Sequence, residues 1–264
     1  MLKLYQGRTS VCAIKVRLVL AEKGLDWEPV NLNLRAGEQH RPEYLKLNPN
    51  GVVPTLIHDG FVLIESSVIM QYLDEVFPAP PLQPAGLKDR ALMRLWMKRV
   101  DEYLHPSNAT LTYAMVHGRE MRKKSPEERE AYYRGIPNPV TRERQRVAIE
   151  QGMDAPAAVQ ALQFYDKAFA DMDGRLAQHP WLAGEAYSLA DAAMTPYVNR
   201  FVMLGLSSMW TQSRPNVAAW FDRIMARPSY AAAVTAFVRD ADLQGYAALK
   251  DWAWSKAQSL LKAA

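Results

Sequence analysis

Between Pro78 and Pro84 the chain places four prolines in seven residues, Pro-Ala-Pro-Pro-Leu-Gln-Pro. Proline fixes φ and has no N–H for a helix or a ladder, so the run reads as a stiff, extended linker. The two sides of this run differ in hydrophobic period. Before it, Leu2 and Leu4 alternate with Lys3 and Tyr5 as in a strand. Val11 to Lys23 then carries Ile14, Leu18, Val19 and Ala21 at helical spacing, with Lys15, Arg17, Glu22 and Lys23 as its polar residues and Gly24 as C-cap. Val30, Leu32 and Leu34 alternate with Asn31 and Asn33 as a second strand. Thr55–His58 and Phe61–Ile64 flank Asp59-Gly60, a hairpin turn whose two residues need positive φ. From Ser66 the spacing is helical again, through Val68, Ile69, Tyr72, Leu73 and Val76. The order βαβ, connection, ββα gives a mixed sheet with helices on its faces. The expected organisation is a domain over 1–80, a linker over 81–87 and a second domain over 88–264.

That second part shows helical periods and no strand. Leu92, Leu95, Trp96, Val100, Tyr103 and Leu104 mark one long helix. Ala157–Leu176 marks another, Val217–Met225 a third that ends at Arg227-Pro228, and Tyr246–Leu261 a last one. Ser188-Leu-Ala-Asp191 reads as a capping box, with the Ser188 hydroxyl accepting from the Asp191 amide. Arg119–Arg146 carries nine basic and five acidic residues, a surplus equal to the net charge of +4 of the whole chain. It is expected to be a solvated helical excursion. Aromatics are too sparse in it for a nucleic-acid surface.

Composition bounds the functions. With 49% hydrophobic and 23% charged residues the chain is globular, and 264 residues bury a core without staples. The mild charge makes nucleic-acid or membrane binding unexpected. Cys12 is the one cysteine, so no disulfide forms within the chain. The five histidines never fall three or four residues apart, and no metal site is expected. The longest stretch without Asp, Glu, Lys or Arg, Tyr103–Gly118, is too short and too polar to span a bilayer. The start, Leu-Lys-Leu-Tyr after Met1, lacks a charged region followed by an apolar one, so no signal peptide and a reducing, cytoplasmic setting are expected.

Four features of the first 70 residues sit at the ends of elements. Thr9-Ser10-Val11-Cys12 joins a strand to a helix N-terminus. Gly37-Glu-Gln39-His40 follows the second strand. Asn48-Pro-Asn-Gly-Val-Val53-Pro54 enters a strand through proline, and Glu65-Ser66-Ser67 opens a helix. Each alone fits ordinary capping or ladder chemistry. Their order and spacing together carry the signal.

In these residues, and over nearly all its length, the chain resembles the cytosolic glutathione transferases. The resemblance implies an N-terminal thioredoxin-like α/β domain followed by an all-helical domain, a homodimer, and glutathione as co-substrate with no metal. It implies a cis Val53-Pro54 bond, with Val53 pairing to the cysteinyl part of the tripeptide as an added strand. Ser66 at its helix N-terminus would take the γ-glutamyl carboxylate, Glu65 the ammonium, and Gln39 and His40 the glycyl end. Gln39 stands where the family has histidine. Ser10 matches the position of the thiol-activating Ser or Cys, and Cys12 a cysteine of the zeta-class Ser-x-Cys motif; both are candidates for facing the thiolate. A thiol ionises near pH 8.5, and lowering that to about 6.5 needs roughly 2.7 kcal/mol, within reach of a hydroxyl hydrogen bond and a helix dipole.

The second half is similar to the bacterial β-etherases, glutathione transferases that cleave β-aryl ethers. The likeness lies in Leu82-Gln-Pro-Ala85, Arg90–Trp96, Val100–Tyr103, the basic excursion with Ile136-Pro-Asn-Pro139, Tyr187–Asp191 and Arg223–Pro228. It departs in the first loop, where Cys12-Ala13 replaces an Asn-Ser pair. The resemblance implies a hydrophobic or aromatic electrophile, with Tyr103, Tyr113 and Trp210 as candidates to hold its rings. The alternatives are a zeta-like cis–trans isomerase, which is shorter over 119–146, and a non-catalytic interaction protein, which often loses the thiol-activating loop or the Glu-Ser pair.

Overall fold

The structure is a computed structural model describing residues 1–263. The chain packs as two compact units. The first comprises Met1–Lys98, Gln178–Pro196 and Ala219–Arg239; the second comprises Arg99–Ala177, Tyr197–Ala218 and the residues from Asp240 onward. Two segments that follow the proline run by about a hundred residues or more therefore pack with the sheet.

In the first unit β1 (Leu2–Gln6), α1 (Val11–Glu22) and β2 (Glu28–Asn31) form a parallel βαβ unit. A one-turn α2 (Pro42–Leu45) precedes the hairpin of β3 (Thr55–His58) and β4 (Phe61–Ile64), and α3 (Ser66–Val76) follows. The sheet order is β2-β1-β3-β4, with both pairs involving β3 antiparallel. Asp59 and Gly60 take positive φ, as the two-residue turn requires. β2 ends earlier than the alternation suggested. Asn33 accepts from the Ala36 amide and Gly37 is left-handed, so Leu34–Ala36 winds into a tight turn.

The face of α1 is the larger correction. Lys15 and Arg17 are fully buried alongside Ile14, Leu18 and Val19, because α1 is covered on more than one side. It packs against α3 and α13 (Pro228–Ala233). On α3 the buried apolar residues are Ile69, Met70 and Leu73, while Val68 and Val76 are exposed. Ala79-Pro80 in the proline run is cis, as is Val53-Pro54.

From Leu87 onward every described element is helical. Beyond α4 (Leu87–Arg99), the expected long helix opens into a wide π-type turn over Val100–Leu104 before α5 (His105–Thr112), and a second such turn covers Tyr113–His117. The turns shift the buried stripe, so Leu95 and Tyr103 are exposed and Met93, Trp96, Met97, Val100 and Leu104 are buried. The excursion folds as α6 (Gly118–Met121), α7 (Pro126–Arg134) and α8 (Pro139–Gln151). α9 (Pro156–Leu176) runs through the core, where the rings of Tyr165 and Phe201 stack at 3.9 Å. α10 (Leu189–Met203), α11 (Ser208–Thr211) and α12 (Pro215–Met225) follow. The segment expected as one last helix is two, α14 (Asp240–Ala247) and α15 (Ala253–Ala263).

Candidate active site

Strand register alone assembles four of the singled-out segments. Tyr5 of β1 lies opposite Thr55 of β3, and Thr55 opposite Ile64 of β4. Gln6 aligns with Asn31 of β2. The exits of β1, β2 and β4 and the entry to β3 therefore share one end of the sheet. From that end hang Thr9–Cys12, the turns holding Gln39 and His40, Val53-Pro54, and Glu65–Ser67. Loops at strand ends beside helix N-termini are where ligands bind in α/β architectures.

Ser10 caps α1: its Oγ accepts the Ala13 amide at 3.3 Å, and its own N–H donates to the Gly7 carbonyl at 3.2 Å. The accepting role leaves the hydroxyl proton to be donated elsewhere. Cys12 is a half-buried thiol in the first turn of the same helix. Arg17, two turns on, holds the loop before Ser10 from beneath. Its guanidinium donates to the Arg8 carbonyl at 2.8 Å, the Gly7 carbonyl at 3.4 Å, Gln6 Oε1 at 2.9 Å and the Ala233 carbonyl at 2.7 Å. It also lies 4.1 Å from the Phe237 ring centroid. Burial, with the like charge of Arg8 second, pulls its pKa down to about 9, so it stays charged at neutral pH.

Glu65 is exposed and carries φ +70° on a non-glycine residue, a conformation costing about 1–3 kcal/mol and found mostly at functional sites. It turns the chain from β4 into α3, whose first residues, Ser66 and Ser67, are buried. Lys15 Nζ donates to Ser67 Oγ at 2.7 Å, tying the two helix starts together. The free amides at the start of α3 suit a carboxylate.

The loop before β3 is pinned by side chains that sequence reasoning missed. Tyr44 donates to the Val52 carbonyl at 2.6 Å and shares a 2.9 Å hydrogen bond with Thr55 Oγ1. Asn48 Nδ2 donates to the same Val52 carbonyl at 2.8 Å, while its Oδ1 accepts the Asn50 amide at 3.0 Å. The Asn-Pro-Asn-Gly run was the available signal, as an Asx turn. His40 lies on the backbone of Gly51, where φ is +61° and a Cβ would sit 2.8 Å from the imidazole. Burial lowers the His40 pKa, partly offset by a backbone hydrogen bond at Gly51. Gln39 Nε2 donates to the Leu34 carbonyl at 3.4 Å, and its buried Oε1 has no hydrogen-bond partner, an acceptor suited to an incoming N–H.

The three aromatic candidates lie in the second unit and differ from one another. Tyr103 is exposed, with its ring 5.3 Å from that of Phe164. Tyr113 is half-buried beside Tyr132. Trp210 is a core residue, 2% exposed and 5.0 Å from the Phe169 ring. The capping box at α10 is arranged differently from the expectation. The Ser188 hydroxyl donates to Asp191 Oδ2 at 3.0 Å and accepts the Ala190 amide, because the buried carboxylate attracts donors. Among the described residues no group of three or more His, Cys, Asp or Glu could hold a metal ion, and no helix is long and apolar enough to cross a membrane.

Residues 1–75 match the family model for the glutathione S-transferase N-terminal domain, and residues 139–228 that for the C-terminal domain. Protein LigF of Sphingobium sp. strain SYK-6 is 34% identical over 234 residues, covering 86% of this chain and 91% of LigF. The chain belongs to the glutathione S-transferase family. The crystal structure of the β-etherase LigF from that strain aligns with this transferase at a TM-score of 0.79 and 33% identity, over 89% of this chain and 98% of LigF. Tetrachloro-p-hydroquinone reductive dehalogenase of Sphingobium chlorophenolicum is 30% identical over 246 residues, 86% of this chain and 93% of that enzyme. Glutathione S-transferase Z1 of Arabidopsis thaliana is 46% identical, but over 91 residues, 34% of this chain and 41% of the relative.

Proposed function

We propose that this transferase binds glutathione at the described sheet end and directs its sulfur at an aromatic electrophile, cleaving an aryl ether. The carrying observation is Ser10 Oγ. It accepts from Ala13 and keeps its proton for a thiolate, at the positive end of α1. The thiol proton passes to water as the thiolate forms. Sulfur then bonds to the ether-bearing carbon next to the aryl ketone carbonyl, the β carbon counted from the ring, the carbon–oxygen bond breaks, and a phenolate leaves with the bonding pair. Glu65, Ser66, Val53, Pro54, Gln39 and His40 hold the tripeptide, and Tyr103 and Tyr113 contact the electrophile. Trp210 is left out because it is core. The likeness to LigF over most of both chains supports the ether reading. The protein is further read as a bacterial, cytoplasmic homodimer.

A zeta-like isomerase is the second reading, favoured by Ser10-x-Cys12 and by the 91-residue likeness. The excursion over 119–146 speaks against it, and intact Ser10 and Glu65-Ser66 speak against a non-catalytic role. Retention on immobilised glutathione separates enzyme from non-binder. Incubating the retained protein with glutathione and an aryl ether ketone, a maleyl acid and a halogenated aromatic then separates the reactions. A thioether and a free phenol from the ether are expected. Isomerisation of the maleyl acid with no adduct from the ether would overturn the ether reading.

A further inference from the structure

The excursion over 119–146 is basic, and three of its nine basic side chains pair with a carboxylate. Arg146 forms a fork with Glu130 at 2.6 and 3.2 Å and also reaches Glu143. Arg129 pairs with Glu150 at 2.9 Å, and Lys123 with Glu120 at 2.8 Å. Of the other six, Arg144 is the one that is part-buried without a close acceptor. Among the described residues its only hydrogen-bonded partner is Thr141 Oγ1, at 3.5 Å, and its Nε is buried with no acceptor at all. Burial lowers its pKa, so the cation sits partly stripped of water without a carboxylate to answer it.

Two phenols share its surroundings. The Arg144 charge acts on Tyr113, and the Tyr113 and Tyr132 hydroxyls lie 3.4 Å apart. The Tyr132 hydroxyl is the donor in both contacts, to Gln145 Oε1 at 2.9 Å and, more weakly, to the Tyr113 oxygen. Tyr113 therefore keeps a proton to offer. Burial pushes both phenols up from their ordinary value, so both remain donors at neutral pH. The Tyr113 ring also lies 5.1 Å from that of His117, and Tyr113 and Tyr132 pack on the buried Met121, Tyr133 and Ile149. An unanswered guanidinium, a free phenolic proton and aromatic faces, all partly open to solvent, match an anionic oxygen carried on an aromatic ring.

We infer that Arg144, Tyr113 and Tyr132 form a subsite in the second unit for the anionic oxygen of an aromatic ligand, a carboxylate or a phenolate. The site deepens the proposed function, on which its role in turnover rests, by giving the aromatic partner an acidic group. Its test needs no glutathione, so its failure and that of the transferase reading are distinguishable. Calorimetric titration of the full chain with benzoate and with its neutral isostere benzamide tests the carboxylate source. Titration with para-nitrophenol above and below the pKa of that phenol tests the phenolate source. The wild type is expected to bind at least one of the two anions at least about tenfold more tightly than its neutral form. Arg144→Gln and Tyr113→Phe should each erase most of that preference while leaving far-UV circular dichroism unchanged. Tyr113→Phe keeps the ring and the fold if Arg144→Gln disturbs them. Equal binding of charged and neutral forms by the wild type, or an anion preference that survives in both variants, would overturn the assignment.

Discussion

Ser10 and Ser66 stand at two helix starts yet are expected to fail differently. A hydrogen bond to a charged acceptor is worth about 1.5–3 kcal/mol, or about 10- to 150-fold in rate. Ser10→Ala should lose that much in kcat and raise the pKa of bound thiol, read from thiolate absorbance. Ser66→Ala should mainly raise KM for glutathione, because its contact persists through the reaction. If the thiolate titration moves in Cys12→Ala and not in Ser10→Ala, the two roles exchange. Arg17 acts through others. It grips the Gly7 and Arg8 carbonyls and never needs to touch sulfur. Arg17→Lys keeps the charge but cannot serve four acceptors on one plane. Its unfolding free energy should fall by about 2–4 kcal/mol, with kcat falling more than KM rises. His40 carries a pH dependence. With its folded pKa below the ordinary 6.5, its contribution to stability is full above 6.5 and is lost as pH falls toward the folded value. An NMR titration should place its pKa below 6.5, and His40→Gln should flatten the acid limb of stability against pH.

At the start of α10 one carboxylate ties together three separate pieces of the chain. Asp191 accepts the Leu182 amide, the Ser188 amide and hydroxyl, and the Trp220 indole, each within 3.0 Å, and is itself fully buried. Asp191→Ala leaves buried donors unmet and should cost about 3–5 kcal/mol. Asp191→Asn keeps an acceptor oxygen and should cost less, the two being compared by denaturant midpoint. The sequence made this cap legible as Ser-x-x-Asp but not its direction, since which partner donates depends on a buried charge that packing creates. The same division recurs along the chain. The Asp59-Gly60 turn and the helix starts at Val11 and Ser66 were legible, because each depends on local backbone chemistry. Burial of Lys15 and Arg17 was not, because α1 is covered by α13, more than two hundred residues away. Nor was the unanswered charge of Arg144, since pairing of its neighbours with Glu130 and Glu150 is settled by how α7 and α8 meet. Helical spacing across Leu92–Leu104 predicted one continuous stripe, and the wide turn at Val100–Leu104, just before Pro106 withholds a helical N–H, displaced it.

The apolar side chains left in water bear on assembly. Phe61, at 54% exposure, and Val62 lie on the edge strand β4; Val68 and Val76 lie on α3, and Val52 in the loop before β3. All five belong to the first unit. An edge strand bearing apolar side chains is a hazard to a lone chain, and apolar groups left open in this way commonly mark an interface. The expected two-fold pair sets this face of one subunit against the helical domain of the other, each subunit giving and receiving the same contact, which closes the assembly. Light scattering at micromolar concentration is therefore expected to give twice the 29.9 kDa chain mass. Val68→Asp places a charge on the exposed side of α3, while the side that packs inward, Ile69, Met70 and Leu73, is untouched. It should shift the equilibrium to monomer with unchanged helix content. The singled-out glutathione contacts all come from one chain, so the monomeric variant should keep glutathione affinity within about threefold. A wild-type monomer at that concentration would remove the dimer. A Val68→Asp dimer as tight as the wild type would move the interface off α3.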